Sequence, residues 1–331
     1  MGRITLVTAV ISVVAPIHNE AEAITELHRR LTIALAELGH YEILLVDDGS
    51  TDRSWDRMLA LAPGDPHLRL LRLSRNFGHQ AALTAGLDAA RGDAVVLIDA
   101  DLQDPPELIP ILVAKWHEGF DVVYGLRTKR EGETRFKLWT ASVFYRLLRA
   151  MTRVEIPADA GDFRLLSRRV VDALARMPER ARYLRGMTSW LGFPQVGVQY
   201  DRDARYAGET KYRTRRMIGF ALDAITSFST TPIRIVTGVG FLLVAFCAVV
   251  FGWVVYVKLF TSTAVAGWTS VLVVVLLLGG MQLVALGIIG QYVGRIFEEA
   301  KQRPLYLVGE AVEGGTVSPA ESPNAPGTRT P

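Results

Sequence analysis

The sequence predicts an α/β fold followed by a helical transmembrane hairpin. Between residues 10 and 125, β-branched apolar runs alternate with stretches whose apolar residues recur at helical spacing. This alternation is typical of parallel βαβ units, with helices on both faces of a mostly parallel sheet. Nearer the C-terminus, residues 235–257 and 271–293 are uncharged, and each is long enough to cross a bilayer as a helix.

The individual elements follow from residue spacing and from the turn residues between them. The predicted strands are Val10–Ala15, Tyr41–Val46, Leu68–Leu73, Asp93–Ile98 and Asp121–Tyr124, and the predicted helices are Glu20–Leu38, Asp52–Leu61, Gly78–Ala90 and Pro106–Glu118. Gly39 follows the first helix and Pro63-Gly64 follows the second, and such residues commonly end helices.

Length, charge and cysteine content limit the possible classes of protein. A chain of 331 residues suggests about two domains. The formal net charge of +3 is too balanced to indicate a nucleic-acid partner. Cys247 is the single cysteine, which excludes an intrachain disulfide and a cysteine-based metal site.

Basic residues lie on the outer flanks of the two apolar stretches. The flanking residues are Arg213, Arg215, Arg216 and Arg234 before the first stretch, and Arg295, Lys301 and Arg303 after the second. The connection between the stretches, residues 261–267, has no charge. The positive-inside rule therefore predicts two transmembrane helices within residues 233–303, with both termini in the cytoplasm. Two buried core helices are disfavoured by the length and all-round hydrophobicity of the stretches.

Two further segments have the pattern of amphipathic helices. Residues 135–153 combine aromatic and aliphatic residues at helical spacing with interleaved basic residues, which is typical of a helix at a membrane surface. A helix packed on the core with a solvated basic face remains an alternative for this segment. Residues 213–232 form a second candidate, a juxtamembrane helix leading into the first span. The tail, residues 304–331, is rich in Gly, Pro, Ser, Thr and Glu and is predicted to be disordered.

The segment Asp99-Ala100-Asp101-Leu102-Gln103 directly follows a predicted buried strand. Open α/β sheets bind ligands at the carboxyl ends of their strands. Two carboxylates grouped there suit Mg²⁺ or Mn²⁺, with a substrate diphosphate completing the coordination shell. An acidic turn ended by proline is the alternative, and the choice between the two depends on the loops at neighbouring strand ends.

Polar loops follow three other predicted strands and should line the same crevice. These loops are Pro16-Ile17-His18-Asn19-Glu20, Asp47-Asp48-Gly49-Ser50 and Ser74-Arg75-Asn76-Phe77-Gly78. Carboxylates such as those of Glu20 and Asp48 can accept hydrogen bonds from a base or a ribose hydroxyl. Each loop alone could be an ordinary turn or helix start, but their joint occurrence before the acidic segment favours a nucleotide site.

Residues further along the chain could activate an acceptor and bind phosphate groups. Asp159 and Asp162 are candidates to accept a proton from an attacking nucleophile. The segment Arg205-Tyr206-Ala207-Gly208-Glu209-Thr210-Lys211-Tyr212 could close over phosphates, since it combines a glycine with basic residues. Arg127 and Arg130 offer further charge for binding phosphate.

Together these motifs carry a resemblance to a known family. The chain resembles the family 2 glycosyltransferases with the GT-A fold, a Rossmann-like α/β fold, and most of all the polyprenyl-phosphate glycosyltransferases. That group includes bactoprenol glucosyltransferases and dolichyl-phosphate mannosyltransferases. The resemblance covers about residues 10–303 and rests on motifs that occur in family order. They are Pro16-x-His18-Asn19-Glu20, Asp47-Asp48-Gly49-Ser50, Arg75-Asn76-x-Gly78, Asp99-x-Asp101-x-Gln103-x-Pro105-Pro106-Glu107, Gly161-Asp162-Phe163-Arg164 and Gly208-x-Thr210-Lys211-Tyr212.

The resemblance implies a role for each candidate residue. Nucleotide-sugar binding would fall to Pro16, His18, Asn19, Glu20, Asp48, Gly49, Ser50, Asn76, Asp99 and Ala100, although His18 stands where the family often has Tyr. Metal binding would fall to Asp99, Asp101 and Gln103, and catalysis to Asp101 and Asp162, with Asp159 a weaker candidate. Phosphate and acceptor binding would fall to Arg127, Arg130, Arg205 and Lys211.

The resemblance also implies a reaction. Residues 1–212 would form a cytoplasmic GT-A domain at the bacterial inner membrane. A homo-oligomer stays open, since some relatives are tetramers. With Mg²⁺ or Mn²⁺, this domain would transfer a hexose, glucose from UDP-glucose in the first instance, to undecaprenyl or another polyprenyl phosphate with inversion. GDP-mannose or another nucleotide sugar remains an alternative donor, and a non-catalytic nucleotide-sugar-binding membrane scaffold an alternative function.

Two other enzyme classes are disfavoured. A processive polysaccharide synthase would have a Gln-x-x-Arg-Trp motif and more spans, and neither is present. A nicotinamide dehydrogenase would have Gly-x-Gly-x-x-Gly after the first strand, where this chain has Pro16-Ile17-His18-Asn19-Glu20.

Overall fold

The computed structural model of this chain describes residues 9–128, 160–201, 231–260, 267–314 and 316–319. The described residues belong to two compact units, one built on a sheet and one containing two long helices. The predicted helix at residues 135–153 lies outside the described residues, as does most of the one at 213–232. The same is true of Arg130, Asp159, Arg205 and Lys211.

The described part of the chain forms one nine-stranded sheet. The strands are β1 (Ile11–Ile17), β2 (Tyr41–Asp47), β3 (Leu68–Leu73), β4 (Ala94–Leu97), β5 (Val122–Arg127), β6 (Ala160–Ser167), β7 (Gln195–Tyr200), β8 (Val308–Glu313) and β9 (Thr316–Pro319). Their order is β7-β5-β6-β4-β1-β2-β3-β8-β9. β6 and β8 run opposite to the other strands, so the sheet is mostly parallel, as predicted.

Helices connect the strands and cover the sheet. In the sheet-containing unit they are α1 (Ile24–Ala36), α2 (Ser54–Leu61), α3 (His79–Ala89), α4 (Ile109–His117), α5 (Arg168–Ala175) and α6 (Leu184–Trp190). Every residue of β1 is buried, which is expected of a central parallel strand with helices on both faces. A Cβ at Gly86 in α3 would lie 2.1 Å from Val14 Cγ1, so this glycine lets α3 approach β1 closely.

The chain after the second long helix corrects the prediction for the tail. Residues 304–331 were expected to be disordered, but Val308–Glu313 and Thr316–Pro319 form a hairpin whose first strand pairs with β3. Composition was misleading here because a few large side chains fix the segment. Tyr306 is 1% exposed and donates a hydrogen bond to Asp88 Oδ2 (2.8 Å), while Val312 is 3% exposed.

We expect Tyr306→Ala to lower the free energy of unfolding by about 3–5 kcal/mol, because it empties a buried aromatic site and removes the hydrogen bond to Asp88. The neighbouring Leu307→Ala is a matched control, since Leu307 is 45% exposed and its truncation should cost under about 1 kcal/mol. Denaturant unfolding of the detergent-solubilised chain measures both variants. Equal losses in the two would mean that the tail does not stabilise the sheet.

The second unit contains α7 (Thr231–Phe260) and α8 (Trp268–Ala300). Within the described residues, Leu277–Ala300 is the helical stretch that is long and apolar enough to cross a membrane, and α7 contains the shorter apolar stretch Val236–Val250. Large apolar side chains on both helices are exposed, among them Phe241 at 73% and Leu283 at 71%. Such exposure is unfavourable in water and is expected of helices that face lipid. The two-span hairpin stays a prediction.

Candidate active site at the carboxyl ends of the strands

The loops after β1 and β2 meet, as the sequence predicts. His18 Nδ1 lies 3.0 Å from the backbone oxygen of Asp48, and the Asn19 amide donates to Ser50 Oγ (3.0 Å). Asn19 has a φ of +57°, a left-handed conformation that asparagine tolerates better than most residues. Its side-chain oxygen accepts from the amide of Thr51 (2.8 Å), so Asn19 joins the two loops.

Other predicted nucleotide-binding residues take supporting positions around this junction. Pro16 is buried within β1, and Ser50 is 9% exposed. The backbone amide of Glu20 donates to Ser54 Oγ (3.0 Å), which ties the loop to the start of α2. The Ala21 amide donates to Asp52 Oδ2 (3.3 Å), and α1 begins at Ile24, four residues after the predicted start at Glu20.

Asp48 connects the loop after β3 to the same junction. Its carboxylate accepts the backbone amides of Phe77 (2.7 Å) and Gly78 (2.9 Å), and the residue is 2% exposed. At Gly49, φ is +60°, and a Cβ would lie 2.4 Å from the nitrogen of Asn76. Asp48 and Gly49 therefore position the three loops, and the side chains of His18 and Asn76 are exposed beside them, 3.1 Å apart.

A cavity of about 350 Å³ adjoins the loops after β2 and β3. Its lining includes Ser50, Arg72, Arg75 and Glu310. Arg72 lies 3.2 Å from Glu310 on β8 and 3.5 Å from the buried carboxylate of Asp47, which is 0% exposed. Burial raises the pKa of Asp47, and Ser50 and Arg72 oppose this rise. The β8–β9 hairpin, which the sequence did not predict, thus contributes Glu310 to the lining of this cavity.

The acidic segment after β4 exposes alternate side chains. Ala100 and Leu102 are buried, at 4% and 1% exposure, whereas Asp99, Asp101 and Gln103 are half-buried. Leu102 has a φ of +58°, an uncommon conformation for a branched side chain, and such strain is often found at functional sites. Asp101 Oδ1 accepts the amide of Gln103 (3.2 Å), which closes a tight turn. The turn thus leaves Asp99, Asp101 and Gln103 accessible, while Ala100 and Leu102 are buried.

The donor set fits a divalent cation. Asp99 Oδ1 is buried without a hydrogen-bond partner. Burial, followed by the nearby charges of Asp162, Asp104 and Asp101, raises the pKa of Asp99 to about 6, although His79 opposes the rise. A cation beside Asp99 would relieve this repulsion. In the described part of the chain, no three His, Cys, Asp or Glu side chains are grouped to hold a metal, so a diphosphate would have to complete the shell.

Asp162 lies in β6, and both oxygens of its carboxylate contact other side chains. Arg185 of α6 donates from Nε to Oδ1 (2.7 Å) and from Nη2 to Oδ2 (3.1 Å). His79 Nε2 lies 3.3 Å from Asp162 Oδ2 and 3.5 Å from Asp99 Oδ1. Burial alone would raise the pKa of Asp162, but His79 and Arg185 hold it well below its usual range. Asp162 is therefore a weak proton acceptor in this arrangement.

Sequence reasoning missed His79 and Arg185. His79 is the first residue of α3, directly after Gly78, whose φ is +100°. Partial burial disfavours its cation, but the neighbouring carboxylates of Asp162 and Asp99 raise the pKa of His79 above its usual value. A histidine at a helix start directly after a strand-end glycine loop was the available signal for His79. Arg185 lies between β6 and β7 and had no comparable signal in the sequence.

Arg127, which the sequence predicts to bind phosphate, also contacts other residues of the protein. Its Nε donates to Tyr200 Oη (3.3 Å), and its Nη2 lies 3.6 Å from Asp104 Oδ1. Tyr200 Oη donates to Asp104, which is 0% exposed. A Cβ at Gly161 would lie 2.9 Å from Arg127 Nη2, so this glycine makes room for the guanidinium. Arg127, Tyr200 and Asp104 form a polar cluster just after the acidic turn.

Comparison with known proteins agrees with these features. Residues 12–175 match the model for the family described as Glycosyl transferase family 2. An uncharacterized glycosyltransferase of Bacillus subtilis (strain 168), YkcC, is 48% identical over 90% of this chain and 92% of its own length. A prophage bactoprenol glucosyl transferase homolog of Escherichia coli (strain K12) is 43% identical over 90% of this chain and 98% of its own.

Among solved structures, the glucosyl-3-phosphoglycerate synthase of Mycobacterium tuberculosis in complex with Mn²⁺, UDP-glucose and phosphoglyceric acid is similar at 22% identity. The TM-score is 0.44, and the match covers 66% of this chain and 78% of that one. The family match and the close relatives across most of the chain carry the conclusion: this chain belongs to glycosyl transferase family 2.

Proposed function

We propose that this glycosyltransferase transfers a hexose from a nucleotide sugar to a polyprenyl phosphate at the inner face of a bacterial plasma membrane. The observation that carries the proposal is the strained acidic turn after β4. There the Asp99 oxygen that lacks a hydrogen-bond partner and the Asp101 carboxylate lie at the carboxyl end of β4, beside β1, whose own loop joins the loop after β2. The same chain contains the apolar helical stretch Leu277–Ala300.

Asp99, Asp101 and Gln103 are the residues that would hold Mg²⁺ or Mn²⁺ in this site. A cation held there would neutralise charge on the departing nucleoside diphosphate. His18 and Asn76 are exposed beside the loops that Asp48 fixes, and they would contact the nucleoside. Mn²⁺ is present in the solved complex of the mycobacterial synthase, but the acidic turn of this chain is the support for the metal.

The acceptor is proposed from the long apolar helices and from the relatives. A polyprenyl chain leaves the bilayer only at a cost of about 0.8 kcal/mol per CH₂ group, so the enzyme has to meet the lipid phosphate at the membrane surface. Two spans, within α7 and α8, would hold the catalytic unit there with both termini in the cytoplasm. The name of the Escherichia coli relative, bactoprenol glucosyl transferase homolog, supports a polyprenyl acceptor and glucose as the sugar.

The proposed reaction inverts the anomeric carbon of UDP-glucose. An oxygen of the lipid phosphate attacks from the face opposite the nucleoside diphosphate and displaces it directly. In the described residues, Asp162 is paired with Arg185 and His79, which does not suit a covalent sugar–enzyme intermediate. GDP-mannose and other nucleotide sugars remain alternative donors.

A donor screen tests the proposal. Purified full-length protein is incubated with Mn²⁺, undecaprenyl phosphate and labelled UDP-glucose, GDP-mannose, UDP-galactose or UDP-N-acetylglucosamine, and the labelled lipid is extracted. We expect a lipid-linked product with UDP-glucose and none with undecaprenol, the matched acceptor without phosphate. Absence of product with every donor would contradict the proposed function.

A further inference from the structure

We propose that His79 and Arg185 bind the phosphate of the acceptor, and that Asp162 positions these two residues instead of removing a proton. The inference rests on the proposed function and names the residues that recognise the acceptor. It reassigns Asp162, for which the sequence suggested a role as catalytic base.

The geometry places a guanidinium and an imidazole on one carboxylate. Arg185 contacts both oxygens of Asp162, and His79 contacts the second of them. The Asp162 side chain is 11% exposed, whereas those of His79 and Arg185 are 43% and 27% exposed. A ligand that enters from solvent therefore meets the imidazole and the guanidinium before it reaches the carboxylate.

The scaffold around Arg185 keeps this arrangement in place. Arg164 is 3% exposed and donates to the backbone oxygen of Gly161 (2.8 Å) and to Thr188 Oγ1 (2.7 Å). These bonds join β6, which carries Asp162, to α6, which carries Arg185. On the other side, the Leu184 amide donates to Gln80 Oε1 (3.0 Å), which joins α6 to α3 beside His79. The imidazole and the guanidinium are thus supported from three elements, β6, α6 and α3.

The charges match a phosphate monoester. His79 is the first residue of α3, so the positive end of that helix adds to its attraction for an anion. An arginine held by a carboxylate is also preorganised to donate to a phosphate, because its rotamer is already fixed. His79 lies between Asp162 and Asp99, so a phosphate bound to it would lie next to the proposed position of the donor diphosphate.

The chemistry does not require a base. A phosphate monoester has a second pKa of about 6, so its attacking oxygen is already largely ionised near pH 7. That oxygen forms a bond to the anomeric carbon, while the bond from this carbon to the diphosphate oxygen breaks and its electron pair leaves with the nucleoside diphosphate. No proton has to be removed. The site has to hold the acceptor phosphate and the donor diphosphate, both anionic, close together.

Acceptor kinetics with a short, soluble acceptor, citronellyl phosphate, test the inference. We expect Arg185→Gln and His79→Gln each to raise the KM for citronellyl phosphate about 10- to 100-fold, as expected for loss of a charge-assisted hydrogen bond. The KM for UDP-glucose should change less than about 3-fold in Arg185→Gln. Arg185→Lys should restore part of the loss, because it keeps the charge without the bidentate geometry. Arg176→Gln, at an exposed arginine, is the matched control.

The Asp162→Asn variant separates positioning from base catalysis. Positioning predicts a higher KM for citronellyl phosphate with kcat within about 10-fold of the wild type, since an amide oxygen still accepts from Arg185. A base role predicts a kcat loss of about 10²- to 10⁴-fold at unchanged acceptor KM, with loss of the acidic limb of the pH profile. That second result, or an unchanged acceptor KM in Arg185→Gln, would overturn the inference.

Calorimetric titration with citronellyl phosphate keeps this test independent of turnover. The wild type should bind citronellyl phosphate more tightly than Arg185→Gln, and neither should bind citronellol, which lacks the phosphate. If the wild type transfers no sugar but shows this difference, the proposed function fails and the phosphate site stands. If the wild type transfers sugar and the two proteins bind citronellyl phosphate equally, the phosphate site is wrong.

Discussion

Replacing Asp101 with Ala is expected to abolish sugar transfer and to leave the fold intact. Asp101 is half-buried in the turn after β4, and in the proposed mechanism it is one of two carboxylates that hold the cation. Loss of one such electrostatic contact costs about 10²- to 10³-fold in kcat, and loss of a metal ligand should cost at least that. Initial rates over a range of Mn²⁺ concentrations measure the effect.

A matched control for Asp101→Ala lies in the same segment. Glu107 is also acidic, but it is 53% exposed and pairs with Arg30 (2.6 Å) on α1. Glu107→Ala should retain rates within about 2-fold of the wild type, because an exposed ion pair contributes little. If Asp101→Ala keeps full turnover, the acidic turn is not the metal site.

Replacing Asp104 with Ala is expected to cause a large loss of stability, about 3–5 kcal/mol in the free energy of unfolding. Asp104 is 0% exposed and accepts a hydrogen bond from Tyr200, and Arg127 lies 3.6 Å from it. Removing the carboxylate leaves the Arg127 charge and the Tyr200 hydroxyl without this partner in a largely buried cluster. Chemical denaturation, followed by fluorescence, measures the loss.

Two further variants serve as comparisons for Asp104→Ala. Asp172 is 56% exposed, and its nearest cation, Arg168, is 4.0 Å away, so Asp172→Ala should cost under about 1 kcal/mol. Asp104→Asn keeps the shape and one acceptor, so its loss should lie between those of Asp104→Ala and the wild type. Equal stability of Asp104→Ala and Asp172→Ala would show that the cluster is not structurally important.

The sequence predicted the parallel core of the sheet well because its signals are local. The observed bounds of β1 to β4 differ from the predicted ones by at most two residues at each end. Each of these strands is an apolar run that ends in a loop containing polar residues or glycine, which is a strong local signal. The predicted membrane stretches lie within α7 and α8, although Leu277–Ala300 extends seven residues beyond the second predicted span.

The sequence did not predict the antiparallel strands, because their positions depend on distant partners. β6 lies between β4 and β5, and its pairing with both is not visible in its own residues. β8 extends the sheet beside β3, more than 200 residues away in the chain, so composition alone suggested disorder. Local pattern cannot specify such pairings, since it contains no information about which strand edge is open.

The sequence likewise predicted only part of the candidate site. Strand-end position was enough to predict that the loops carrying Asn19, Asp48 and Asp99 converge. It could not show that Asp48 accepts amides 29 and 30 residues away, or that Arg185, 23 residues from Asp162, engages both oxygens of that carboxylate. Such partners decide whether a carboxylate binds substrate or supports the protein, and they become visible only in the folded chain.

The most direct test of the account is the structure of the full chain with UDP-glucose and Mn²⁺, with the manganese located by its anomalous scattering. The account predicts a single manganese peak in contact with the carboxylates of Asp99 and Asp101 and with the donor diphosphate. A bound donor with the manganese peak elsewhere, or with no peak beside these carboxylates, would contradict it.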